Sequence, residues 1–200
     1  PVPWYAVYGN HDTLLLGTFG LSSQLHSLAV GSEKSYTLQA TATSALAGYA
    51  STASPLQWMI DALGVQTGTR PGFRRVTADP QRYLFEQREF MAEHFDTADT
   101  PGPIGHGFTQ HNLDSGETWW STDMTPHVRA FGLDTCNAVA GADGAVPEDQ
   151  FDWLREQLEL AQALKKLVLI LTHHNSLTSE NRAQRPGVNK KLYGAEEFVD

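Results

Sequence analysis

Apolar and polar positions change period several times along this chain, and each change marks an element. Residues 2–8 (VPWYAVY) are short, aromatic and β-branched and stop at Gly9, the pattern of a buried strand. Residues 13–50 hold no clear period, and the run SYTLQATATSALAGYASTAS is small, polar and nearly uncharged. Ser54-Pro55 supplies an N-cap and a first-turn proline, which predicts a helix running to Gly64. Asp79-Pro80 is a second start signal. Tyr83, Leu84, Met91 and Phe95 then share one helical face, predicting a helix to about Phe95.

The stretch 96–108 (DTADTPGPIGHGF) is dense in Gly and Pro and reads as a loop. Residues 117–122 (ETWWST) and 128–133 (VRAFGL) predict two strands able to pair, with Trp119 and Trp120 straddling the first, one ring in the core and one out. Pro147 opens the clearest helix, in which Phe151, Leu154, Leu158 and Ala161 recur at helical spacing, acids fill the first turn and lysines the last. Residues 167–171 (LVLIL) predict a central strand buried on both faces. A helix leading into a fully apolar strand implies an α/β layered core. The region 14–115 reads as an insertion or elaboration within one domain spanning 1–200, not as a second domain.

Bulk composition narrows the function classes. Forty per cent hydrophobic and 18% charged residues describe a globular chain with no run long enough to span a membrane. The formal charge is −9, and basic residues cluster no further than the pairs Arg74-Arg75, Lys165-Lys166 and Lys190-Lys191, so no nucleic-acid-binding surface is evident. Cys136 is the only cysteine, which excludes an intrachain disulfide and a thiolate zinc site. The sequence starts at Pro1 within a strand pattern and stops within an apparent helix at 196–200, so it reads as an internal fragment. Localisation is then unreadable from a missing leader.

Open α/β sheets place their sites at the carboxyl ends of strands. Two buried-strand patterns end in this way here, Tyr8 into Gly9-Asn10-His11-Asp12 and Leu171 into Thr172-His173-His174-Asn175. Gly-Asn and His-Asp are also ordinary turn chemistry. In its blocks the chain resembles the calcineurin-like metallophosphoesterases. Gly9-Asn10-His11-Asp12 matches that family's third block, and Leu169-Ile170-Leu171-Thr172-His173 its strand-His block. The Asp-x-His and Gly-Asp blocks would lie upstream of Pro1, and Gly-His-x-His beyond Asp200. Gly105-His106-Gly107-Phe108 is no substitute, because Phe108 stands where a second His is needed. The long insertion resembles an actinobacterial subgroup often made with a twin-arginine export signal.

The resemblance implies an αββα sandwich and a dinuclear centre of two divalent ions, Mn, Fe or Zn, about 3.5–4 Å apart. It implies hydrolysis of a phosphomonoester or phosphodiester by a metal-bridging hydroxide. Asn10 would ligate one ion through its side-chain oxygen, and His173 would add an imidazole to the same ion. His11 would contact phosphate and protonate the leaving oxygen, and Asp12 would hold its other ring nitrogen. Gly9 would allow a close turn. His173, the first residue type expected past the strand, is preferred over His174 as ligand; His174 then stands behind it or faces substrate. His106 is a structural or substrate-facing residue of its loop. Asp134 and Asn137 read as turn caps rather than ligands, and His26, His94, His111 and His127 as solvent-facing or locally satisfied. Residues 1–200 alone would supply only part of a ligand set and little turnover. The alternative is a non-catalytic phosphoesterase-like domain whose insertion engages a partner.

Overall fold

A computed structural model describes residues 2–14, 17, 20–35, 73–96, 101–137, 141–182, 191–194 and 196–198. In chain order the elements are α1 (Asn10–Thr13), α2 (Ser23–Val30), β1 (Glu33–Ser35), β2 (Phe73–Arg75), α3 (Gln87–Glu93), α4 (Gln110–Ser115), β3 (Trp120–Thr125), β4 (Val128–Gly132), β5 (Val146–Pro147), α5 (Glu148–Ala163), β6 (Leu167–Leu171) and β7 (Leu192–Tyr193). The fold is mixed α/β, as the sequence pattern predicts.

Its centre is the sheet β3–β4–β6. β3 and β4 pair antiparallel with Trp120 opposite Gly132, and β4 and β6 pair parallel with Val128 opposite Leu167. A parallel pair needs a crossover, and α5 supplies it. Glu148 and Asp149 occupy the first turn of α5, where the helix dipole favours acids. Its apolar stripe packs Leu154 and Ala161, with Trp153 and Leu158, against Phe131, Leu133 and Val168. The opposite face of the sheet carries Trp120, Ala130 and Leu171 and is covered by Met91 and Phe90 of α3, by Phe108, and by Tyr5, Ala6 and Val7. Strand alternation explains the split: residues 131 and 133 face α5, and Ala130 faces away.

Four expectations are corrected. Residues 2–8 are extended but pair with no strand among the described residues. They are held instead by the Ala6 amide donating to His106 O (2.8 Å) and by the Trp120 indole donating to Ala6 O (2.8 Å). An apolar, aromatic run sets a strand's conformation, but a ladder also needs a neighbour. Second, β6 lies at the edge of the sheet formed by the described residues, not at its centre, and Leu167, Leu169 and Ile170 are 63%, 43% and 48% exposed. Val168 packs toward α5 and Leu171 toward the 2–8 layer, and the rest of the strand is left exposed. Third, the helix expected from Pro80 to Phe95 is broken into a 3-10 turn, Pro80–Arg82, and α3. Asp79 caps the first by accepting the Gln81 amide at 2.9 Å. Glu89 then accepts the Glu86 amide at 2.8 Å, a capping box that restarts the helix. Fourth, no lysine lies in the last turn of α5: Lys165 turns left-handed (φ 53°) and Lys166 reaches Asp123 of β3 at 2.5 Å.

The strand predicted from Glu117 starts at Trp120, because Asn112 of α4 donates to the carbonyls of Glu117 and Trp119 and holds them off the ladder. Trp120 is buried, whereas the half-buried Trp119 packs its ring on Trp153. β1 and β2 pair antiparallel and bring Ser35 opposite Phe73. The helix expected over 54–64 lies outside the described residues. No helix among the described residues is long and apolar enough to cross a membrane.

Candidate functional site

The segment after Tyr8 is a turn and a site at once. Gly9 caps α1, and its amide donates to Asp12 Oδ2 at 2.7 Å. Asp12 thereby occupies the N3 place of a capping box, where a carboxylate naturally reaches back to the N-cap amide. No hydrogen bond joins it to His11 among the described residues, in contrast to the expected orienting role. Adjacent residues of a helical turn do not face one another.

Asn10 is buried, and its two amide ends are sorted by their partners. Nδ2 donates to Gly17 O at 2.7 Å, which leaves Oδ1 facing His173 Nε2 at 3.0 Å. Two residues 163 positions apart in sequence are thus brought together. His173 leaves β6 by two residues and is exposed. Its ring lies on Gly9, where a Cβ would stand 2.7 Å from Cε1 and Nδ1. The backbone of Gly9 is ordinarily extended (φ −111°, ψ 170°), so glycine is needed here for the close approach of the ring and not for the turn.

Gly17 is a residue that sequence reasoning missed. At φ 67° it is left-handed, a conformation glycine adopts without cost. A Cβ there would stand 2.5 Å from His11 Cδ2 and Nε2 and 2.8 Å from Asn10 Nδ2. It therefore floors both side chains. His11 itself is exposed, with its ring edge against Gly17.

His174 is placed differently from its neighbour. It is buried, Nε2 donates to Ala142 O at 2.9 Å, and Nδ1 accepts the Thr135 hydroxyl at 2.9 Å. Burial pushes its pKa down. With both nitrogens engaged inside the protein, it is not the substrate-facing group that sequence allowed. It stands edge-on behind the His173 ring, with centroids 4.8 Å apart. His106 is fully buried and stacked on Trp4 at 3.4 Å, with Nδ1 3.0 Å from Trp4 O. That is a core position, away from the Asn10–His173 junction. His94 is satisfied by Phe90 O (2.8 Å), His111 pairs with Glu117 (3.0 Å), and His26 and His127 are exposed, as expected.

Asp134 is buried and caps its own strand end by accepting the Cys136 amide at 2.8 Å. Desolvation raises its pKa, and hydrogen bonds from the Thr118 and Tyr8 hydroxyls offset this only in part. A carboxyl raised on folding stabilises most below its ordinary value of about 3.9, and that contribution is lost as the pH rises through the folded value. The stability of the wild type should therefore fall relative to Asp134→Asn as the pH rises from about 4. Urea midpoints at several pH values read this difference, and a pH-independent difference would contradict it. A cavity of about 410 Å³ is lined by Gln87, Thr118, Trp119, Asp134, Cys136 and Asn137 among others; neither Asn10 nor His173 lines it.

No family model matches the chain, and no curated protein or solved structure matches it significantly. Among the described residues no group of three or more His, Cys, Asp and Glu side chains converges in a way that could hold a metal ion. The junction itself contributes one amide oxygen and one imidazole nitrogen.

Proposed function

We propose that the Asn10–His173 junction is part of a metal site for phosphoester hydrolysis, acting on a phosphomonoester or phosphodiester. The sheet β3–β4–β6 with α5 would then be part of a metallophosphoesterase-like αββα sandwich. One observation carries this: Asn10 Oδ1 and His173 Nε2, 163 residues apart in sequence, approach to 3.0 Å.

The donor set fits a divalent ion. Asn10 has its amide nitrogen tied to Gly17 O, so its oxygen is the end that faces His173. A neutral oxygen beside an imidazole suits Mn, Fe or Zn. Asn10 and His173 would hold one such ion, with its remaining positions open to groups outside this pair. When bound, the ion supplies Lewis acidity toward phosphate oxygens. The other tasks fall to the chain's own residues. His11, exposed against Gly17, is free to turn its imidazole toward a leaving-group oxygen and protonate it. Asp12 holds the turn that presents His11 by anchoring the Gly9 amide. His174, locked between Thr135 and Ala142, keeps its proton and supports His173.

The protein should hydrolyse p-nitrophenyl phosphate or its diester in proportion to added Mn²⁺ or Zn²⁺. Asn10→Ala and His173→Ala should remove that dependence. Absence of turnover at every metal loading would sink the proposal and favour a non-catalytic domain that engages a partner.

A further inference from the structure

We propose that residues 133–137 (LDTCN), which continue β4 beyond Gly132, are a positioning clamp that holds the Asn10 and His173 loops together, with Thr135 as its central residue. The functional weight of this clamp rests on the metal-site proposal above; its geometry does not.

Its side chains divide between the two loops. Asp134 and Cys136 address the first loop. The Tyr8 hydroxyl donates to Asp134 Oδ2, and the Cys136 thiol lies 3.7 Å from Tyr8 O. Tyr8 is fully buried and stands two residues before Asn10. Thr135 addresses the second loop. Its hydroxyl oxygen accepts the His174 amide at 3.2 Å while its proton goes to His174 Nδ1 at 2.9 Å. The carbonyl of Ala142 only accepts, so His174 Nε2 carries the ring proton and Nδ1 must be the acceptor. One hydroxyl thus fixes both the backbone and the ring of the residue after His173.

The clamp is itself held on both flanks. The Gln150 side chain of α5 brackets the Asp134 backbone, accepting its amide at 2.8 Å and donating to its carbonyl at 2.6 Å. Leu133 continues the sheet by donating to Leu171 O at 2.9 Å, and the Ala145 amide donates to Thr135 O at 3.0 Å. Thr135 and Gln150 are both essentially inaccessible to solvent. The two loops meet at Asn10–His173 because each is pinned one or two residues away to the same rigid strand end. Thr135 is a positioning residue: it touches His174, not the metal-facing atoms.

The test needs no metal. In the chain with ¹⁵N-labelled imidazoles, long-range spectra report the tautomer of His174, and ring-to-amide cross-relaxation reports the His173–Asn10 contact. Thr135→Ser, which keeps the hydroxyl, should retain both signatures. Thr135→Val, which keeps the shape and loses the hydroxyl, should lose the single His174 tautomer and the His173–Asn10 contact, with far-UV dichroism unchanged. If Thr135→Val does not fold, Thr135→Ala, with room for a water, is compared in the same way. Leu25→Ala, a truncation of a buried side chain in α2, should keep the contact. Retention of the contact in the hydroxyl-free variant, or its loss in Leu25→Ala as well, would overturn the clamp. Failure of metal-dependent hydrolysis would leave these spectra unaffected, so the two proposals fail separately.

Discussion

His11→Ala should lower turnover of an alkyl phosphoester by about 10²- to 10⁴-fold, while metal affinity stays as in the wild type. At 1.36 kcal/mol per tenfold, this is a loss of about 2.7–5.4 kcal/mol in transition-state stabilisation. The separation follows from where the two groups sit. Asn10 is buried, with its oxygen on His173, whereas His11 is exposed with its ring edge on Gly17 and makes no hydrogen bond to either residue among those described. A group that protonates the leaving oxygen matters most when that oxygen is strongly basic. The loss should therefore be larger for an alkyl ester than for a nitrophenyl ester, whose leaving group departs without help. Equal losses for both esters, or a loss of metal affinity equal to that in Asn10→Ala, would place His11 in ion binding instead.

Trp120→Ala should cost about 3–5 kcal/mol, enough to bring a domain of ordinary stability close to its unfolding threshold. The indole is almost completely buried between the sheet and the 2–8 layer, near Tyr5 at 5.7 Å, and donates to Ala6 O at 2.8 Å. Its cavity is shaped by absence: across the ladder, a Cβ on Gly132 would stand 2.2 Å from the ring. Truncation would empty that space and leave the Ala6 carbonyl without its partner, and the segment leading to Gly9 would lose an anchor. A large fall in the urea midpoint at constant slope is the expected result. A midpoint within experimental error of the wild type would contradict the packing described here.

The strong periods in the sequence are the parts that survive comparison with the structure. Leu154, Leu158 and Ala161 recur at helical spacing and do line one face of α5, and the run Leu167–Leu171 does form a strand after it. What local pattern cannot carry is the identity of neighbours. Residues 2–8 have strand composition, yet a ladder requires a second strand beside them. The apolar run of β6 implies a strand inside the sheet; Val168 and Leu171 do pack on opposite faces, but β6 lies at the end of the described sheet and Leu167, Leu169 and Ile170 stay exposed.

The same distinction runs through the site. Asn10 and His173 stand out in the sequence because each follows an apolar run, and the structure brings their side chains together. Gly17 and Thr135 do not, since a lone glycine and a lone threonine carry no local signal. Their roles exist only once distant segments meet. Asp12 was legible as functional chemistry and is used for capping, because the nearest amide in a helical turn lies three residues back.

The most direct test of the central claim is a Mn²⁺ titration of this chain followed by NMR. The ring signals of His173 and the side-chain amide of Asn10 should broaden first and together, and Asn10→Ala should abolish the selectivity. Broadening confined to surface carboxylates such as Glu148 and Asp149, with His173 and Asn10 unaffected, would contradict a metal site at this junction.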